Sequence, residues 1–314
     1  MRRPETHALA LILAALGVAT RATAAVEPPR IETRFMYTLS SVTGSIPYSW
    51  ASLSMDRAAN ELYVASAGIV DVFNDAGMSV FDFANDTGYG TAFAVAPLEN
   101  GDLVLLTRGP TGWALVRATF RGEPVARLEV SGIREGFEFD PSSIAAAAGK
   151  LYLADKTRMR VLVLGVDGKV QSELDFEELL AFSEKEKQDA NMRAFDVDPA
   201  GNILFTISAL FSAYVYSPEG KLRRFGTKGS TPGKFNIVGG ITADESGHLY
   251  VTDVLRCVVM VFSAADFSFL GEFGFRGYGE SNLIAPLNVA VANGKVYVAQ
   301  SKGGVKVFGV QFDQ

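Results

Sequence analysis

The chain has 314 residues, of which 29 are basic and 35 acidic, and 48% of it is hydrophobic. The acidic balance argues against a nucleic-acid partner, which rewards clustered positive charge. The single cysteine, Cys257, excludes an internal disulfide, and its setting in Cys257-Val-Val-Met-Val-Phe262 marks it as a buried small hydrophobe.

At the N-terminus, Arg2 and Arg3 precede an apolar run over 8–19 and the small residues Ala22-Thr-Ala24. That is the layout of a secretory signal peptide, 1–24, cut after Ala24, with retention as an anchor the alternative. The run is about a dozen residues, too short for a helix to cross a bilayer of roughly 30 Å. The loss of Arg2, Arg3, Arg21 and Glu5 leaves 26 basic against 34 acidic residues, a net charge of −8. No later stretch approaches a membrane span, so the mature chain is expected to be secreted or periplasmic, and monomeric.

An orphan strand over 34–39 comes next. Then a short apolar strand recurs six times: Glu61-Leu-Tyr-Val-Ala-Ser66, Asp102-Leu-Val-Leu-Leu-Thr107, Lys150-Leu-Tyr-Leu-Ala-Asp155, Asn202-Ile-Leu-Phe-Thr-Ile207, His248-Leu-Tyr-Val-Thr-Asp253 and Lys295-Val-Tyr-Val-Ala-Gln300. Their anchors lie 41, 48, 52, 46 and 47 residues apart. A period in the forties built only of strands and turns predicts an all-β protein, a six-bladed β-propeller of four-stranded antiparallel blades. Glycine-bearing hairpin turns such as Arg121-Gly122 and Asp167-Gly168 lead to each outer strand.

The sixth repeat runs out of chain before its outer strand. The orphan strand 34–39 is expected to fill that place, closing the ring and removing two open sheet edges. Residues 25–314 then form a single domain. One segment breaks the pattern: 177–191 carries Leu179, Leu180 and Phe182 followed by charges, and predicts a short amphipathic helix. It either packs on the propeller rim or binds a partner.

Phe225-Gly-Thr-Lys-Gly-Ser-Thr-Pro-Gly-Lys-Phe235, followed by Gly247-His-Leu-Tyr-Val-Thr-Asp253 and Arg256, resembles a consensus NHL repeat. Phe273-Gly274 with Gly277 and Gly279, and Lys150-Leu-Tyr-Leu-Ala-Asp155 with Arg158 or Arg160, resemble further units. The resemblance extends over the whole mature chain, with its sharpest motifs in the third and fifth repeats. It implies six blades, and a structural role for Asp155 and Asp253 as links between blades.

Chemistry in a propeller normally sits in the central channel. Aligned repeats place Ser49, Ala92, Ser143, Ala194, Gly240 and Asn288 at the channel mouth, with Arg193 one residue away. A lactonase-like calcium site needs a carboxylate and several Asn or Asp ligands, and this ring reads as small and neutral. Resemblance to peptide-amidating lyases would require a histidine cluster, whereas the mature chain has only His248. No catalytic residue, metal or cofactor is therefore expected.

The loops between second and third strands share a face with the blade-to-blade connections. They carry Arg108, Trp113, Arg158, Leu210, Phe211, Arg256, Arg276 and Tyr278, residue types enriched at interface hot spots. Leu210 and Phe211 are expected to stand out from their loop. The reading is an exported, non-catalytic binding scaffold for an envelope or extracellular protein. A channel hydrolase or lyase is the alternative, and so is a sensor of a small ligand or glycan.

Overall fold

The computed structural model describes residues 31–312 apart from 43, 47, 49, 67 and 85–87. The expected signal segment 1–24 lies outside them. The chain forms six four-stranded antiparallel sheets, and their inner strands neighbour one another in cyclic order, so the sheets are the blades of a closed propeller. Blade 1 runs from Ser52–Asp56 to Ser79–Ala84, blade 2 from Thr91–Pro97 to Pro124–Leu128, and blade 3 from Ser143–Ala147 to Val170–Asp175. Blade 4 runs from Ala194–Val197 to Leu222–Phe225, and blade 5 from Val238–Ala243 to Phe269–Gly274.

Blade 6 draws on both ends of the chain. Pro286–Ala292, Lys295–Gln300 and Val305–Phe312 supply three strands, and Ile31–Thr38 pairs antiparallel with the third, Phe35 opposite Phe308. The N-terminal strand therefore closes the ring as the sequence predicts, beginning three residues earlier than expected.

The repeated Leu-Tyr-Val motif has a simple packing cause. Successive side chains of a strand point to opposite faces of its sheet. Leu62 and Val64 enter a core shared with blade 6, while Tyr63 and Ala65 enter a core shared with blade 2. Leu151 and Leu153 face blade 2, and Tyr152 and Ala154 face blade 4. Each second strand is buried on both sides, which is why it reads as an unbroken apolar run. The apolar interior is thus six clusters, each between two neighbouring blades.

The 177–191 insertion holds two short helices, Phe176–Leu179 and Glu184–Asp189, where one was expected. Ser183 caps the second, with Glu186 reaching back in a capping box. Phe176 is fully buried, and Leu180 and Phe182 pack on the core between blades 3 and 4. Among the described residues no helix is long and apolar enough to cross a membrane.

Candidate functional site

Strands alternate in direction within a blade, so the loops between second and third strands and the inner ends of the connections share one face. Buried carboxylates brace it. Asp155 accepts hydrogen bonds from the N–H groups of Thr157 and Arg158 in its loop and of Asp140 in the incoming connection, at 2.9–3.1 Å. Asp253 does the same, with Leu255 and Arg256 on one side and Asn236 at 2.7 Å on the other. Gln300 takes this place in blade 6, accepting from Ile284 N–H at 2.7 Å. The two aspartates tie each loop to the connection entering the same blade, where links between blades were expected.

The arginines anticipated on this face are mostly paired. Arg108 meets Asp140 at 2.8 Å, and Arg158 meets Asp155 at 3.1 Å with Glu138 nearby. Arg256 meets Glu272 at 2.6 Å with side chains only 13% and 14% exposed, which makes that pair part of blade 5's packing. Arg276 differs. It is exposed and donates to the Leu255 carbonyl at 2.6 Å, with no carboxylate partner among the described residues.

Apolar exposure is concentrated here. Among the described residues, eight of the fourteen exposed large apolar side chains belong to the loops and connections of this face. Three, Met78, Phe120 and Val166, lie in the hairpin turns of the other. Ile237, Leu255, Phe275 and Tyr278 stand on neighbouring segments of this face. Val254 N–H bonds the Ile237 carbonyl, and Arg276 ties the Phe275–Tyr278 segment to Leu255. Phe275 is 62% and Tyr278 94% exposed.

Trp113 and the Leu210–Phe211 pair are placed otherwise. Trp113 is half-buried edge-on against Phe139. Leu210 and Phe211, expected to stand out, are half-buried instead. Phe211 adopts a left-handed backbone (φ 52°) after the 3₁₀ turn Ser208–Leu210, and the two side chains pack on cores either side of blade 4. The exposed Leu255 and Phe275 escaped the sequence reading, because loop residues lack the periodicity that separates inward from outward positions.

The axial channel holds about 90 Å³ and is lined in part by Ser143, Asn288 and Thr242. Ser49 lies outside the described residues. Arg193 stands at the loop-face mouth, its guanidinium 5.4 Å from the ring of Trp50, which reaches over from the opposite blade.

The expectation of a neutral channel is corrected by Asp196, two residues beyond Ala194. Burial raises its carboxyl above the ordinary carboxylate range, while a hydrogen bond with Thr242 and the charge of Arg57 act the other way. Arg57 spans the far end of the channel, donating to the carbonyls of Val291 at 2.8 Å and Ala243 at 3.3 Å. The alternation of Ala194-Phe-Asp-Val197 carries the signal for Asp196, which follows Ala194 on the same face of its strand. Beyond Arg57 the far mouth opens into a cavity of about 520 Å³, with Met55, Pro97, Leu98 and Val197 among its walls. His248 stacks on Phe312 and bonds Asp244 at 2.8 Å within its turn. The described residues contain no group of three or more metal-ligating side chains.

No family model matches the chain, and no curated protein does. Solved structures do. A protein of unknown function from Bacteroides thetaiotaomicron superposes with a TM-score of 0.64 at 12% identity, over 90% of this chain and 77% of that one. Virginiamycin B lyase from Staphylococcus aureus gives 0.55 at 12% identity, over 90% and 99%. A Bacteroides caccae protein of unknown function gives 0.51 at 13% identity, over 75% and 80%. At such identities the likeness is one of fold.

Proposed function

We propose that this propeller is an exported binding module of the NHL-repeat type, engaging an envelope or extracellular protein through its loop face. The observation that carries the reading is the set Ile237, Leu255, Phe275 and Tyr278, four exposed apolar side chains on segments joined by the Val254–Ile237 backbone hydrogen bond and by the Arg276 side chain on the Leu255 carbonyl. Contiguous exposed apolar surface is uncommon on a protein with no partner. Arg276 supplies a positive charge beside it, so the fitting partner presents an apolar knob with acidic neighbours. The paired Arg108, Arg158 and Arg256 hold the loops in shape. Export rests on the 1–24 segment, and the NHL assignment on the repeated motif and its buried aspartates. A photo-crosslinking residue at position 278, used in intact cells, tests the reading. One recurrent protein captured from 278, and not from position 120 on the other face, supports it; equal capture from both refutes it.

A second reading has one observation in its favour. Asp196 gives the channel a carboxyl with a raised pKa, the kind of group that general acid–base chemistry uses. A hydrolase or lyase acting there, the class to which one similar fold belongs, would lose turnover on Asp196→Asn.

A further inference from the structure

At the loop-face mouth of the channel stand two cations, Lys156 and Arg193, with no carboxylate in ion-pair contact among the described residues. Lys156 follows the buried Asp155, and its carbonyl accepts the Met192 N–H at 2.9 Å, which sets it against the segment carrying Arg193. Arg193 enters the mouth from blade 4 and lies under the Trp50 ring. Trp50 belongs to the connection into blade 1, directly across the axis. It is 69% exposed and holds a left-handed backbone, φ 57°, that tryptophan seldom adopts. Among the described residues neither Lys156 nor Arg193 has a carboxylate within ion-pair distance, and the Lys156 ammonium has no hydrogen-bond partner. Asp196, three residues along from Arg193, lies inside the channel with Arg57 in the same walls, and burial raises its carboxyl.

Two like charges brought together in a partly desolvated pocket cost free energy, and the cost falls when an anion joins them. The Trp50 face offsets part of the charge of Arg193. The Lys156 ammonium is pushed below the usual lysine range by burial and then by Arg193. The channel that continues inward from the mouth is lined by small and polar side chains, Ser143 and Asn288 among them, with Asp196 and Arg57 also in its walls.

We infer that Lys156 and Arg193 form a binding site for a compact oxyanion, a phosphate or carboxylate group, at the loop-face mouth of the axial channel, with Trp50 as its cover. The guanidinium offers a planar pair of donors and the ammonium a point charge, and together they suit an oxygen-rich anion. The site is separate from the apolar group around Phe275 and stands whether or not that surface binds a protein.

Calorimetric titration of the full-length mature protein with sodium phosphate, and separately with sodium acetate, at constant ionic strength tests this. Saturable binding of either anion is expected, together with a higher melting temperature than in chloride of equal ionic strength. Phosphate binding alone assigns the site to phosphate groups, and acetate binding alone to carboxylates. Lys156→Met and Arg193→Gln should each weaken the bound anion at least about tenfold, and Lys156→Arg should retain it. If a variant fails to fold, the calorimetric titration of the unaltered protein still decides, since absence of saturable binding there overturns the inference. No saturable binding of either anion up to about 10 mM, or binding undiminished in folded variants, overturns the inference.

Discussion

Phe35 of the N-terminal strand and Phe308 of the last strand meet edge to face, their ring centroids 5.9 Å apart. They lie directly opposite each other in the ladder that joins the two ends of the chain. Next to this seam Leu39 is fully buried, and its N–H bonds the Val305 carbonyl at 2.9 Å.

Closure by this strand should therefore dominate stability. Leu39→Ala should cost about 2–5 kcal/mol, the usual range for a leucine removed from a packed core. Deletion through Ser41 should cost more, since it also bares the edge of Val305–Phe312. Urea unfolding followed by circular dichroism measures both, and an unchanged midpoint in the truncated chain would show that the ring closes without its first strand.

Asp253→Ala should destabilise the fold by about 2–4 kcal/mol, because several backbone N–H groups lose their acceptor at once. The same change at the exposed Asp266, whose carboxylate serves its own turn and Ser268, should cost much less. Equal losses at the two sites would remove the bracing role assigned to Asp253.

Asp196 should make stability depend on pH. Its carboxyl is raised in the folded protein, so the folded state holds the proton where the unfolded chain has released it. Stability should then fall as pH rises from the ordinary carboxylate range through the raised folded value. Asp196→Asn should be more stable than the unaltered protein at neutral pH, with the advantage shrinking under acid conditions. A gain that is the same at every pH would contradict this.

Leu210 and Phe211 should behave as core residues. Leu210→Ser with Phe211→Ser should lower stability by about 2–4 kcal/mol, through lost burial and introduced hydroxyls. A melting temperature within a degree or two of the parent would return the pair to the list of surface contacts.

The architecture was legible because burial on both sides of a strand writes itself into the sequence. Leu62 and Val64 serve one neighbour and Tyr63 and Ala65 the other, so every second strand repeats the same words at a near-constant interval. The orphan strand 34–39 was legible as the missing edge of blade 6. The candidate site was less so. Asp196 lies two positions along its four-residue inner strand from Ala194, inside the channel, beyond the mouth-level residues that the repeats align. Leu210 and Phe211 turn inward through a left-handed residue, a backbone reversal that side-chain chemistry does not announce. Arg256 reads as a surface cation, yet Glu272, sixteen residues away on the outer strand, draws it into the blade.

The central claim is that the apolar group around Phe275 is a protein-binding surface. The most direct test is the affinity of the crosslinked partner for Phe275→Ser with Tyr278→Ser, measured beside the thermal unfolding of the same variant. Both side chains are exposed, so unfolding should stay within about 1 kcal/mol of the parent. Binding should weaken by about 2 kcal/mol or more, a loss of thirtyfold or greater. Undiminished affinity in a folded variant would contradict the account.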